Sequence, residues 1–156
     1  MSDETQAAVG GPEQVLARAH QLFLNNELAS FADMFAEDGT HELPFAPPGV
    51  PPVLQGKAAI REYLSLIADT PLELKGFRDL TIHHTTDPEV IITEYTAHMT
   101  LNATGEAVYP RYIQVLRARD GEIVTWRDYW NPLAGAQALG TLPQLFAALS
   151  GERPSS

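Results

Sequence analysis

Cysteine is missing from the 156 residues altogether. Its absence excludes disulfides, thiol nucleophiles and thiolate-ligated metals. No apolar run reaches the roughly 18 residues that a spanning helix needs, so no membrane span is expected. The opening residues, MSDETQAAVGG, are polar and acidic. No secretion signal is expected there, and a cytoplasmic protein is the default. Positive charge is scarce: 10 Lys and Arg stand against 20 Asp and Glu, a net charge of −10. Such a surface repels phosphate backbones and anionic lipid, so neither nucleic acid nor a membrane is expected as a partner. The histidines at 20, 41, 83, 84 and 98 show no H-x-H or H-x-x-x-H spacing, and no metal site is expected. There is no glycine-rich phosphate loop and no G-x-S-x-G turn. Nucleotide cofactors and serine hydrolysis are therefore disfavoured, and no cofactor is expected.

What is present suits a single globular domain. Hydrophobic residues make up 44% of the chain, enough at this length for a core and a pocket. Residues 1–11 read as a loose tail, 12–140 as the domain, and 141–156 as a helical turn and tail. Pro12 opens a helix with an apolar stripe at Val15, Leu16, Ala19, Leu22 and Phe23. Leu28, Phe31, Ala32 and Phe35 predict a second helix, ended by Glu37, Asp38 and Gly39. A short strand over 40–45 leads into a loop holding Pro44, Pro47, Pro48, Pro51 and Pro52, which no central strand could accommodate. After Gly56 a third helix sets Ile60, Tyr63, Leu64 and Ile67 on one side.

The chain then turns to strands, over 77–86, 90–101, 108–119 and 122–130. Period two is clear in the long second one. Thr93, Tyr95, Ala97, Met99 and Leu101 share one face, and Ile92, Glu94, Thr96, His98 and Thr100 the other. Asp120-Gly121 predicts a tight hairpin between the last two strands. Asn131-Pro132 ends the sheet, and helical turns are expected at 133–139 and 142–149. Helices followed by an antiparallel meander is an α+β order. It predicts a cone: a strongly curved, mainly antiparallel sheet, about three N-terminal helices over its concave side, and a short C-terminal helix.

The last strand carries the most informative residue. Trp126, Asp128 and Trp130 fall on one face, and a carboxylate on an aromatic wall is costly to bury unless paired, hydrogen-bonded or protonated. Burial would raise its pKa toward that of a general acid or base. Tyr95 could donate a hydrogen bond to a ligand oxygen. Of His41 and Glu42 only one can face inward, and alignment with Leu43 favours His41, which could shuttle protons. Either Tyr112 with Gln114 or Arg111 with Ile113 faces inward; period two leaves this open.

Four segments in order, FADMFAEDGTHELPF (31–45), LQGKAAIREYL (54–64), IITEYTAHMT (91–100) and RDGEIVTWRDYWNP (119–132), resemble the nuclear-transport-factor-2-like superfamily. The likeness is to its SnoaL-like and ketosteroid-isomerase-like branches and runs from Pro12 to Gly140. The last segment is similar to that of polyketide cyclases and limonene epoxide hydrolases, in which an aspartate at the place of Asp128 acts as acid or base. The phenazine-biosynthesis proteins PhzA and PhzB look similar too, with glutamate there and a like Asn-Pro ending. Two departures stand out. Leu43 occupies the place of the isomerase's aspartate base, and Tyr95 and Ala97 that of the hydrolase's arginine–aspartate pair.

The resemblance implies a small enzyme in which Asp128, Tyr95 and His41 are the candidate catalytic residues. Phe23, Leu43, Phe45, Tyr63, Ala97, Met99, Trp126 and Trp130 would surround an apolar small-molecule ligand. Isomerisation and aldol-type cyclisation fit one proton shuttle best; dehydration and epoxide opening also fit. The rival is a ligand-binding or dimerisation module without chemistry, or an accessory that orients an intermediate. Members of the family commonly pair through the outer sheet face, so a homodimer through Ile92, Glu94, Thr96, His98 and Thr100 is expected.

Overall fold

A computed structural model describes residues 10–151. The loose ends expected at 1–11 and beyond Gly151 lie outside the described residues, save Gly10 and Gly11. Helix α1 (Pro12–Leu24) begins at a proline, whose missing N–H would have no partner in a first turn. It buries Val15, Leu16, Ala19 and His20. Helix α2 (Leu28–Asp33) is shorter than its apolar stripe predicts. Phe35, expected to be its last inward residue, instead opens strand β1 (Phe35–Glu42).

Tertiary pairing overrides the local signal here. Phe35 lies in parallel register with Ile123, and the Ile123 N–H donates to the Met34 carbonyl at 2.8 Å. Residues 37–39, which read as a helix stop, become the irregular middle of a strand. The register shifts between Phe35 and Thr40. A Cβ at Gly39 would sit 2.9 Å from the Ile123 carbonyl oxygen, so glycine is required by close approach.

The proline loop follows, then β2 (Val53–Gln55), which pairs back on β1, and α3 (Lys57–Ile67), which buries Ile60 and Leu64. Strands β3 (Leu72–His84), β4 (Val90–Leu101), β5 (Ala107–Val108), β6 (Arg111–Arg119) and β7 (Glu122–Tyr129) complete the sheet. The first starts earlier than period two suggests. The 108–119 strand is broken at Pro110, which offers no N–H to a ladder. Asp120 and Gly121 form the hairpin turn at φ 53° and 81°, the positive values that a type I′ turn requires. The Gly121 N–H donates to the Gly10 carbonyl at 3.0 Å, which ties the start of α1 to the turn.

Among the described residues the result is a curved, unclosed seven-stranded sheet with five helices, an α+β fold. Its order is β2-β1-β7-β6-β4-β3, with β5 on β4. The β1–β7 pair is parallel and the others antiparallel. A bulge between Arg117 and Ala118 lets Ile123 and Trp126, three residues apart, both reach the core. That core, between α1–α3 and the sheet, is built on Leu16, Phe31, Phe35, Ile60, Leu116 and Trp126, each at most 1% exposed. Each contributes about 1.5–3 kcal/mol by burial.

The C-terminal turns are full helices, α4 (Pro132–Leu139) and α5 (Leu142–Leu149). The Asn131 side chain accepts N–H bonds from Leu133 and Ala134 and so caps α4. Neither helix buries a residue. Among the described residues no helix is long and apolar enough to cross a membrane.

Candidate functional site

The C-terminal ends of α1 and α3 and the start of α2 do not fill the concave face of the sheet. They leave an inner cavity of about 680 Å³. Aromatic rings form much of its wall. Phe31 and Phe23 meet edge to face at 4.6 Å, and Trp126 packs against Phe31 at 5.1 Å. Across the cavity Tyr95 stacks on Tyr112 at 5.4 Å and meets Phe77 edge-on at 5.0 Å. Ala97 and Met99 continue the wall along β4, as strand alternation from Tyr95 requires.

Asp128 enters this space from β7. It is half-buried and borders the cavity. Desolvation pushes its pKa up from 3.8 to about 7, opposed by one hydrogen bond from Gln114. Gln114 lies directly across the β6–β7 ladder from it. Its Nε2 donates to Asp128 Oδ1 at 3.2 Å and to the Tyr95 hydroxyl oxygen at 2.8 Å. Because Tyr95 accepts that bond, its own proton is free to be donated. Burial first, then the Asp128 charge, hold the Tyr95 and Tyr112 phenols well above the usual range, so both are neutral. Gln114 joins Asp128 and Tyr95. The sequence left its orientation open, since period two alone could not decide between the two faces of β6.

His41 also borders the cavity, while Glu42 points away and accepts from Arg127 Nε at 2.8 Å. Burial lowers the His41 pKa to about 4, so the ring is neutral, and neither nitrogen has a partner among the described residues. Tyr63 lies behind it, ring to ring at 6.0 Å. Its phenol pKa is raised by burial and by Asp128. Leu43 is 2% exposed and packs into the protein without bordering the cavity. His20 was not singled out in the sequence, yet it stacks on Phe77 at 4.2 Å behind Tyr95, its pKa lowered to about 4 by burial. A histidine in the apolar stripe of α1 was the available signal.

Two more predicted wall residues, Trp130 and Phe45, lie elsewhere. Strand β7 stops at Tyr129, so alternation no longer governs Trp130. With Phe45 it borders an outer cavity of about 780 Å³ on the opposite face of the sheet. Phe45 is 58% exposed and meets Tyr129 edge-on at 5.3 Å. Glu94, Thr96, Arg111 and Ile113 also border that outer space. Among the described residues no three His, Asp or Glu side chains are grouped to hold a metal ion.

Comparison with known proteins agrees with this fold. A family model described as a SnoaL-like domain matches residues 16–126. The protein YesE of Bacillus subtilis is 34% identical over 129 residues, covering 81% of this chain and 86% of YesE. The PhzA/B-like protein PA3332 of Pseudomonas aeruginosa is 33% identical over 128 residues, 82% of this chain and 89% of that protein. A crystal structure of a candidate isomerase from Bacillus subtilis superposes with a TM-score of 0.77 at 31% identity, covering 90% of this chain and 97% of that one. A candidate polyketide cyclase from Xanthomonas campestris shares the fold at a TM-score of 0.65 and 19% identity, over 81% and 95% of the two chains.

Proposed function

The chain belongs to the SnoaL-like domain family, and on that premise we propose that it is a small cofactor-independent enzyme moving a proton through Asp128 on an apolar molecule held in the inner cavity. One observation carries this: the Asp128 carboxylate faces an aromatic hollow with its pKa pushed up to about 7. A group so poised accepts and returns protons efficiently near neutral pH. Ionised Asp128 would take a proton from a carbon beside a carbonyl. The Tyr95 hydroxyl would donate to the oxygen on which charge develops. Return of the proton at another carbon is isomerisation; attack of the carbanion on a second carbonyl is an aldol-type cyclisation. Gln114 holds both groups in place through one amide. Epoxide opening fits less well, because Ala97 offers no polar atom to position a water.

The test is a titration of tryptophan fluorescence from pH 4 to 9. A midpoint near 7 that is lost in Asp128→Asn supports the proposal. A midpoint at the usual aspartate value of about 4 would instead favour a ligand-binding module of the same fold. Among the described residues no second carboxylate lies beside Asp128, which favours that second reading. We also propose a homodimer through the outer sheet face, where Ile113 is 43% and Phe45 58% exposed. A monomeric sedimentation profile at micromolar concentration would sink it.

A further inference from the structure

We propose that the inner cavity takes an uncharged, largely apolar molecule whose buried end presents an O–H or N–H donor to Gln114 Oε1. This rests on the inner cavity being the ligand site but holds whether or not Asp128 does chemistry there. The starting point is an imbalance of hydrogen bonds. Gln114 is 3% exposed, and its Nε2 is committed to both Tyr95 and Asp128. Its carbonyl oxygen has no partner among the described residues. Buried amide oxygens are rarely left so, because an unmade bond forfeits the water given up on burial. The sheet does not supply the missing donor. Thr93, opposite Gln114 in the β4–β6 register, has a hydroxyl equally without a partner.

His41 repeats the pattern across the cavity. It is 5% exposed, and both its ring nitrogens are unpartnered among the described residues. A neutral imidazole offers one donor and one acceptor. The cavity therefore presents acceptors and donors together, and a group that both gives and takes a hydrogen bond matches them. Charge narrows the class further. Glu73, paired with Lys75 at 3.0 Å, and Asp128 border the cavity, and among the described residues no Lys or Arg does. A carboxylate or phosphate there would lie buried without a counter-ion, next to an acidic group, which is heavily disfavoured. The rings of Phe23, Phe77 and Trp126 leave the rest of the ligand apolar.

Three probes of one ring system separate the possibilities: naphthol, which has the donor; methoxynaphthalene, which keeps the oxygen but lacks the donor; and naphthoate, which is anionic. Binding to the full chain is measured by calorimetry at about pH 8, where Asp128 is ionised and holds the Gln114 N–H. Naphthol is expected to bind about tenfold or more tighter than methoxynaphthalene, and naphthoate weakest of all. In Gln114→Met the naphthol preference falls to within about twofold. Gln114→Asn, which withdraws the amide by one methylene, is the second variant should the first not fold. Equal binding of naphthol and methoxynaphthalene, tightest binding of naphthoate, or an unchanged ratio in the folded variant overturns this inference alone. Failure of all three probes to bind overturns the inner cavity as a ligand site as well.

Discussion

The two faces of one curved sheet carry two cavities of similar size, about 680 Å³ inside and about 780 Å³ outside. Tyr95 and Tyr112 border both. The difference lies in how charge is handled. Outside, ions have partners: Glu94 with His83 at 2.6 Å, and Arg127 with Glu42 at 2.8 Å. Inside, Asp128 has one amide for company, and burial pushes its pKa up to about 7. Arg127 and Asp128 are adjacent in sequence and meet opposite fates. The face of a strand, rather than residue type, decides whether a charge is a solvated surface feature or a poised proton carrier.

Breaking the contrast hardest means removing the inner carboxylate. Asp128→Asn is expected to lower kcat by about 10²- to 10⁴-fold on any substrate the wild type converts. Glu94→Gln on the outer face should change it less than about twofold. Comparable losses from the two would erase the distinction. The tryptophans give the next largest effect. Trp126 is 1% exposed, and Trp126→Ala should cost about 3–5 kcal/mol in denaturant unfolding. Trp130→Ala, at the outer rim, should cost about 1 kcal/mol or less.

A pH series sharpens the comparison. The folded pKa of Asp128 lies above its unfolded value, so the folded state holds the extra proton between about 4 and 7. Wild-type stability should therefore fall as pH rises through that window, by up to about 4 kcal/mol from this group, and the fall should vanish in Asp128→Asn. The sign for His41 is opposite. Its folded pKa is lowered from 6.5 to about 4, so its contribution is present above 6.5 and lost as pH falls through that range. Chemical unfolding of wild type, Asp128→Asn and His41→Phe at several pH values reads both slopes. The smallest effect belongs outside: Ile113→Asp should shift sedimentation toward monomer while changing subunit stability by about 0.5 kcal/mol.

Much of the fold was legible beforehand. The apolar stripes of α1 and α3, the alternation of β4 and the Asp120-Gly121 turn depend on residues close in sequence. The site was legible only where strand alternation held. It placed Tyr95, Ala97 and Met99 together. It misplaced Trp130, because the strand ends one residue sooner than its β-rich composition suggests. It also could not orient β6, so Gln114, the residue bonded to both Tyr95 and Asp128, could not be assigned to the site. Phe35 moved from helix to strand because a partner nearly ninety residues away, Ile123, offered it a ladder.

By itself the sequence determined the class of the fold, its family and the single acid worth following, because periodicity, turn chemistry and motif order are written in neighbouring residues. The tertiary structure alone decided that a cavity exists, which rings wall it, and that Gln114 spans Tyr95 and Asp128. An unfilled space depends on how side chains from five strands and three helices fail to meet, and no local stretch of chain encodes that sum.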